Sequence, residues 1–396
     1  MNPDNFPTPD ATVTAIEPSE LKQRIDADEA VTLLDARMAA DFEEWHIDGE
    51  SVDVVNVPYF EFLDGADDDL LGRVPEGDPL VVLCAKGGAS EFVAGTLADA
   101  GRDVIHLDDG MNGWARIFER VEVTAYDGPG TVYQYQRPSS GSLSYLVVSD
   151  GEAAVVDPLR AFADRYREDA AALDTELVYA LDTHVHADHV SGVRTLDEAG
   201  VRGVVPAPAA ERGITYDDDT DTVEDGDVLA VGEAAVEVLH TPGHTSGMTS
   251  YLVGDSLLAT GDGLFTESVA RPDLEEGEDG AREAARTLHE TLQERILSLP
   301  EDTLVAPAHF SDAATAAEDG SYTATLGSLR ERMDALSLER EAFVDIVLAD
   351  MPPRPANYED VIETNLGRRS VDDEEAFELE LGPNNCAASQ ESLADD

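Results

Sequence analysis

One short stretch of this sequence carries four side chains of types that commonly bind metal ions. His184, His186, Asp188 and His189 come directly after an apolar run at residues 177–181. The run reads as a buried strand, and alternate residues of an extended segment point to the same side. A loop at the end of that strand would therefore present three imidazoles and one carboxylate to one small volume. This set of ligands suits zinc or non-haem iron.

Three more ligand types follow later predicted strands in order. His244 lies in the turn His240-Thr241-Pro242-Gly243-His244, Asp262 follows a strand at 257–259, and His309 follows a strand at 303–305. Asp157, at the end of residues 155–156, is a candidate acceptor that would orient a ligand histidine. If any one of these residues occurred alone, we would interpret it as an ordinary hydrogen-bonded polar group and not as a metal ligand. Together with the first cluster, they predict a metal site at the ends of several strands.

A second reactive group is Cys84, which follows an apolar strand at 80–83 and precedes a helical pattern at 90–100. The loop between them is Ala85-Lys86-Gly87-Gly88-Ala89. A glycine-rich loop at a helix start points backbone N–H groups inward and forms an anion-binding nest. We expect this nest to stabilise a thiolate and a persulfide on Cys84, with Lys86, Gly87 and Gly88 contacting the bound anion. The alternative is an inert buried cysteine.

The elements that must position these groups fall into separate regions. Strands alternate with helices over residues 12–124, which predicts a parallel α/β domain. A Gly/Pro segment at 125–131 is a linker candidate. Residues 132–367 contain many strands and a hairpin signal at 149–152. Residues 368–396 are mostly acidic or small, and we expect a peripheral segment or a frayed tail.

These motifs resemble two known families. The order HxHxDH, HTPGHT, GD and PAH resembles the metallo-β-lactamase superfamily, which implies an α+β domain with a four-layer αββα sandwich. The Cys84 loop resembles the rhodanese active-site loop. Three further segments match that α/β family, and we interpret His46 and Trp114 within them as structural: Asp35-Ala36-Arg37, His46-Ile47-Asp48-Gly49 and Gly110-Met111-Asn112-Gly113-Trp114.

The metallo-β-lactamase resemblance leaves two enzyme branches open. Thioester hydrolases similar to glyoxalase II hold two zinc ions. By resemblance, one would take His184, His186 and His244, the other Asp188, His189 and His309, and Asp262 would bridge them. Persulfide dioxygenases hold one Fe(II), and the resemblance implies His184, His244 and Asp262 as its ligands.

Three features favour the dioxygenase branch, which oxidises a thiol persulfide with O₂ to sulfite and thiol. They are the continuation His189-Val190-Ser191-Gly192, the segment Ala270-Arg271-Pro272-Asp273-Leu274, and the attached rhodanese-like region. Arg271 is a candidate for binding a substrate carboxylate, with a structural salt bridge to Asp273 as the alternative. A non-enzymatic persulfide carrier is a third hypothesis, disfavoured because structural metal sites normally close their coordination shell.

The charge balance narrows the classes of partner. The chain has 25 Lys+Arg against 85 Asp+Glu, for a formal net charge of −60. This excess argues against binding to nucleic acids or anionic membranes. It favours a halophilic protein whose self-repulsion is screened by salt. The chain has two cysteines and no apolar run long enough to span a membrane, so we expect a cytoplasmic protein with reduced thiols. A homodimer is an alternative to a monomer.

Overall fold

The computed structural model describes residues 6–215, 220–275, 277–311, 313–349 and 351–388. The chain divides into two compact units. The first comprises Met1–Phe118 with Arg137–Ser139, and the second comprises Glu119–Gln136 with Ser140–Asp396. Within the described ranges, no helix has the length and apolar character needed to cross a membrane.

The first unit contains a five-stranded, fully parallel sheet in the order β1-β5-β4-β2-β3, which confirms the predicted α/β class. Apolar clusters lie on both faces of the sheet, so its central strand β4 is buried throughout. The strands are β1 (Ala15–Ile16), β2 (Val31–Asp35), β3 (Val52–Asn56), β4 (Leu80–Leu83) and β5 (Val104–Leu107). The helices are α1 (Pro18–Asp26), α2 (Ala39–Glu44), α3 (Asp68–Leu71), α4 (Gly88–Asp99) and α5 (Gly110–Trp114).

The second unit contains two mixed sheets. The seven-stranded sheet has the order β12-β11-β10-β9-β8-β7-β6, and its strands are β6 (Glu119–Glu122), β7 (Thr131–Arg137), β8 (Ser142–Ser149), β9 (Glu152–Val156), β10 (Glu176–Leu181), β11 (Arg202–Pro206) and β12 (Asp221–Val223). The six-stranded sheet runs in order from β13 to β18, and its strands are β13 (Val228–Val231), β14 (Ala234–His240), β15 (Thr249–Val253), β16 (Leu257–Gly261), β17 (Leu304–Pro307) and β18 (Ala324–Thr325).

Helices cover the outer faces of both sheets, so the second unit has the predicted αββα layers. The helices are α6 (Ala163–Ala172), α7 (Val193–Glu198), α8 (Ala207–Ala210), α9 (Gly277–Thr291), α10 (Leu326–Arg332), α11 (Arg340–Val347), α12 (Tyr358–Asn365) and α13 (Asp373–Leu379). Val156 and Leu181 of one sheet pack with Tyr251 and Ala259 of the other in the central core. Helices α9, α10 and α11 pack on the second sheet, and α6 and α7 lie against β10 and β11.

Two predicted boundaries differ from the structure. We predicted a first domain ending at residue 124 and a linker at 125–131, but β6 already pairs with β7, and Val123 and Tyr126 lie in the core of the second unit. We also predicted a peripheral segment from residue 368. Its described part instead contains α13 and a fully buried Cys386, because apolar residues recur among its acidic ones. Residues 389–396 of that segment lie outside the described residues.

Candidate active sites

The predicted metal ligands converge at one edge of the αββα sandwich. The HxHxDH segment follows β10, whereas His244 follows β14, Asp262 follows β16 and His309 follows β17. Each of these residues is at least nine-tenths buried, and Asp262 is fully buried. Strand ends from both sheets therefore bring together all seven predicted ligands, although they span 126 positions of the chain from His184 to His309.

Three of these ligands, His184, His244 and Asp262, form one candidate metal site. His184 Nε2 and His244 Nε2 lie 3.5 Å and 3.6 Å from Asp262 Oδ2. Within the described part of the chain, none of these three buried atoms has a hydrogen-bond partner. Leaving buried polar atoms unpaired costs about 1–3 kcal/mol each, more for a charged group. A cation between them would satisfy all three, so the triad fits a metal ion.

The protonation states of the triad suit metal binding. Burial, together with the neighbouring His186, lowers the pKa of His184 to about 4, and burial also lowers the pKa of His244. Although burial alone would raise it, contacts with His309 and His184 hold the pKa of Asp262 well below its usual value. At neutral pH the triad therefore offers two neutral imidazoles and one carboxylate, the forms that bind metal ions.

Hydrogen bonds hold both triad histidines in the required tautomer. His244 Nδ1 donates to the Arg271 carbonyl at 2.9 Å. His184 Nδ1 donates to Thr183 Oγ1 at 2.9 Å, and that hydroxyl donates to Asp157 Oδ2 at 3.0 Å. With Nδ1 protonated in each ring, the lone pair of Nε2 faces the centre.

The remaining predicted ligands are largely bonded to other side chains. His309 donates from Nδ1 to Asp262 Oδ1 and from Nε2 to Asp188 Oδ2, both at 2.7 Å. Burial opposes protonation of His309, but the two carboxylates prevail and raise its pKa to about 10. His186 Nε2 donates to Asp157 Oδ1 at 3.1 Å, and that carboxylate raises the pKa of His186 against the effect of burial. The pKa values of these two histidines are therefore raised, whereas burial lowers those of His184 and His244.

The structure gives Arg271 the structural role that we considered as the alternative. Its guanidinium is 1% exposed and donates to Asp273 through Nε and Nη2 at 2.7 and 3.1 Å. Its Nη1 donates to the carbonyls of Pro353 and Asn385, both at 2.8 Å. All three guanidinium nitrogens are therefore engaged within the protein, and Arg271 does not offer a free fork to a substrate.

Some residues at the site were missed from the sequence. Asn365 at the end of α12 donates to the carbonyls of His186 and His189 at 3.0 and 2.8 Å, and so holds the HxHxDH loop in place. Cys386 lies beside Asp188 and His309. Both residues reach the site from distant parts of the chain, where no local pattern indicates their role.

The Cys84 loop forms the predicted strand-loop-helix arrangement. Cys84 leaves the end of β4, and Gly87 precedes α4 with φ +82°. The backbone N–H of Ser90 donates to Cys84 Sγ at 3.2 Å, so a peptide group at the start of a twelve-residue helix faces the sulfur. Lys86 is exposed at the rim of this loop, and Cys84 itself is 4% exposed.

A close backbone approach behind this loop explains one glycine of the motif at 110–114. Gly110 has φ +55°, and a Cβ there would lie 2.0 Å from the Cys84 carbonyl oxygen. We expect Gly110→Ala to lower the free energy of unfolding by about 2 kcal/mol or more, through strain and overlap. Urea denaturation of the full chain measures this. Gly101→Ala is the matched control, because Gly101 has φ +85° but no atom within 4 Å of its Cβ position. An equal loss in both variants would show that the close approach is unimportant.

Comparison with known proteins identifies both domains. Residues 138–309 match the metallo-beta-lactamase superfamily, and residues 17–117 match the rhodanese-like domain. The human persulfide dioxygenase ETHE1 is 29% identical over 243 residues, 60% of this chain and 88% of the human protein. The crystal structure of ETHE1 from Myxococcus xanthus matches with a TM-score of 0.51 and 28% identity, over 60% of this chain and 98% of that one. A hydroxyacylglutathione hydrolase from Aeromonas hydrophila is 29% identical over 253 residues, 62% of this chain and 89% of that protein. The chain therefore joins a rhodanese-like domain to a domain of the metallo-β-lactamase superfamily, and its homologues include persulfide dioxygenases.

Proposed function

We propose that this protein oxidises a low-molecular-weight thiol persulfide to sulfite and thiol at one non-haem iron ion held by His184, His244 and Asp262. The observation that carries the proposal is the set of three unpaired atoms that the triad brings together, His184 Nε2, His244 Nε2 and Asp262 Oδ2. The triad atoms are unpaired within the described residues, whereas His309 is bonded at both nitrogens. Similarity to persulfide dioxygenases supports the choice of reaction. The free thiols of Cys84 and Cys386 are compatible with a reducing compartment, which we take to be the cytoplasm.

The proposed reaction balances as RSSH + O₂ + H₂O giving RSH, sulfite and two protons. When bound, Fe(II) supplies oxygen activation, because two histidines and one carboxylate leave coordination positions open. The protein's own groups exclude water, orient the metal ligands and hold a proton. Burial of the triad excludes bulk water, and the Arg271 carbonyl fixes the ring of His244. His309 holds a proton at Nε2 beside the centre, shared with Asp188.

A dinuclear zinc thioester hydrolase is the second candidate. His186 Nδ1, Asp188 Oδ1 and His189 Nε2 are also buried and, among the described residues, have no hydrogen-bond partner. Similarity to a hydroxyacylglutathione hydrolase also supports this second candidate. Metal analysis with an oxygen electrode separates the two. About one iron per chain and oxygen uptake on adding a small persulfide support the dioxygenase, whereas two zinc ions with thioester cleavage and no oxygen uptake would overturn it.

We further propose that Cys84 carries sulfane sulfur for the rhodanese-like domain. Replacing Cys84 with Ser should abolish sulfur transfer, because serine cannot form a persulfide, yet leave oxidation of a supplied persulfide nearly intact. Cyanide-dependent thiocyanate formation and oxygen uptake measure the two activities on the same preparation. Equal loss of both would refute this division of roles.

A further inference from the structure

A small cavity of the second unit is lined by three arginines, although the chain as a whole is strongly acidic. The cavity measures about 170 Å³. Its arginines come from three separate elements, since Arg160 lies in the turn after β9, Arg194 in α7 and Arg369 in the segment after α12. Among the described residues, Glu198 is the only acidic one in the cavity wall. Basic groups therefore outnumber acidic groups in this wall, whereas the whole chain has 25 Lys+Arg against 85 Asp+Glu.

The carboxylates that pair with two of these arginines lie toward solvent. Arg160 Nη2 donates to Asp373 Oδ1 at 2.8 Å, and the Asp373 side chain is 92% exposed. Arg369 pairs with Asp360 and Glu375, whose side chains are 54% and 47% exposed. Ion pairs with exposed carboxylates contribute little to stability. These carboxylates can therefore turn into solvent when an anion of higher charge binds to the arginines.

The guanidinium of Arg160 also has a donor without an acceptor. Its Nε is buried and, within the part of the chain that the structure describes, has no hydrogen-bond partner. An unpaired buried donor is costly, and more so on a charged group. Because Arg160 lines the cavity, an oxyanion bound there would supply the missing acceptor.

We propose that this cavity binds a small, doubly charged oxyanion, the chemical class that includes sulfate, phosphate and sulfite. The planar guanidinium presents its donors in a fork that matches two oxygens of such an anion. The cavity has room for one such ion with several waters. The site goes beyond the proposed function, because none of the triad residues lines the cavity.

The cavity borders the loop that carries four of the predicted metal ligands. Val190 and Ser191, which directly follow His189, form part of its wall together with Asn365. The Ser191 N–H donates to Asn365 Oδ1 at 2.9 Å, and the Arg160 N–H donates to the Val190 carbonyl at 2.9 Å. A bound oxyanion would therefore link the turn after β9, α7 and the segment after α12 at the point where they meet this loop.

Equilibrium dialysis with radiolabelled sulfate measures this binding on the full-length protein in about 3 M KCl, in which the acidic chain is screened. Chloride competes in every sample, so saturable binding reports a preference for the doubly charged anion. We expect one sulfate per chain in the wild type. Arg160→Gln should lower the affinity by about 10-fold or more, because charge-assisted hydrogen bonds to the anion are lost.

Arg167→Gln is the matched control for this substitution. Arg167 lies in α6, its side chain is 49% exposed and pairs with Asp164, and it does not line the cavity. We expect its sulfate affinity to equal that of the wild type. If Arg160→Gln fails to fold, Arg194→Gln removes a charge from another wall of the cavity and tests the same expectation.

Unlabelled sulfite and phosphate, added in slightly alkaline buffer, identify the source of the anion. Displacement of sulfate by both supports a site for oxyanions in general, and displacement by sulfite alone supports a site for the proposed reaction product. Absence of saturable sulfate binding overturns the proposal, as do equal affinities in the wild type and the folded cavity variants or the failure of both competitors. Oxygen uptake without sulfate binding would remove only this inference, whereas sulfate binding without oxygen uptake would remove only the proposed function.

Discussion

Replacing Asp262 with Asn should lower iron affinity by more than about 100-fold and reduce persulfide-dependent oxygen uptake to background. Replacing groups that only orient metal ligands already costs about 10–100-fold, and Asp262 is itself a proposed ligand. The substitution keeps the shape of the side chain and removes its charge. Asp262 Oδ2 is the atom that both His184 Nε2 and His244 Nε2 face, so the substitution removes the negative charge beside the two imidazoles. Iron content after gel filtration and an oxygen electrode measure the two effects.

Asp255→Asn is the matched control for this substitution. Asp255 is exposed in the turn between β15 and β16, at the opposite end of β16 from Asp262. Its φ of +61° is one that asparagine also tolerates. The control removes the same charge from the same sheet without touching the centre. Full iron retention and oxygen uptake by a folded Asp262→Asn variant would show that the iron is bound elsewhere.

The part of the site that could be predicted from the sequence is the part that depends on local strand ends. His184 follows an apolar strand within a few residues, and Asp262 and His309 do the same in the second sheet. Hydrophobic runs reveal such strands, and the residue types that follow them reveal the ligands. The strand at 80–83 and the glycine-rich loop after it located Cys84 for the same reason.

The parts that were missed depend on contacts between distant segments. Asn365 supports a loop that lies more than 170 residues away in the chain, and its hydrogen bonds leave no pattern in the residues around it. Cys386 lies in a segment whose acidic composition indicates fraying, yet backbone pairing with residues 269–271 holds it in the interior. Arg271 was open to two interpretations, since only the folded chain brings the carbonyls of Pro353 and Asn385 to its guanidinium.

Transfer from about 3 M KCl to about 0.05 M KCl should unfold much of this protein, with loss of most of its far-ultraviolet circular dichroism. The chain has 85 Asp+Glu and 25 Lys+Arg residues and a formal net charge of −60, so most of its carboxylates have no basic residue to balance them. Many of the basic residues are already engaged at the surface, for example Arg286 with Glu341 and Arg369 with Glu375. The screening length is about 3 Å at 1 M salt and rises above about 10 Å below 0.1 M, so repulsion between neighbouring carboxylates returns on dilution. Sucrose at low salt is the control, since it favours compact states by exclusion but does not screen charge. Unchanged circular dichroism at low salt would contradict this prediction, and full rescue by sucrose would show that screening is not the cause.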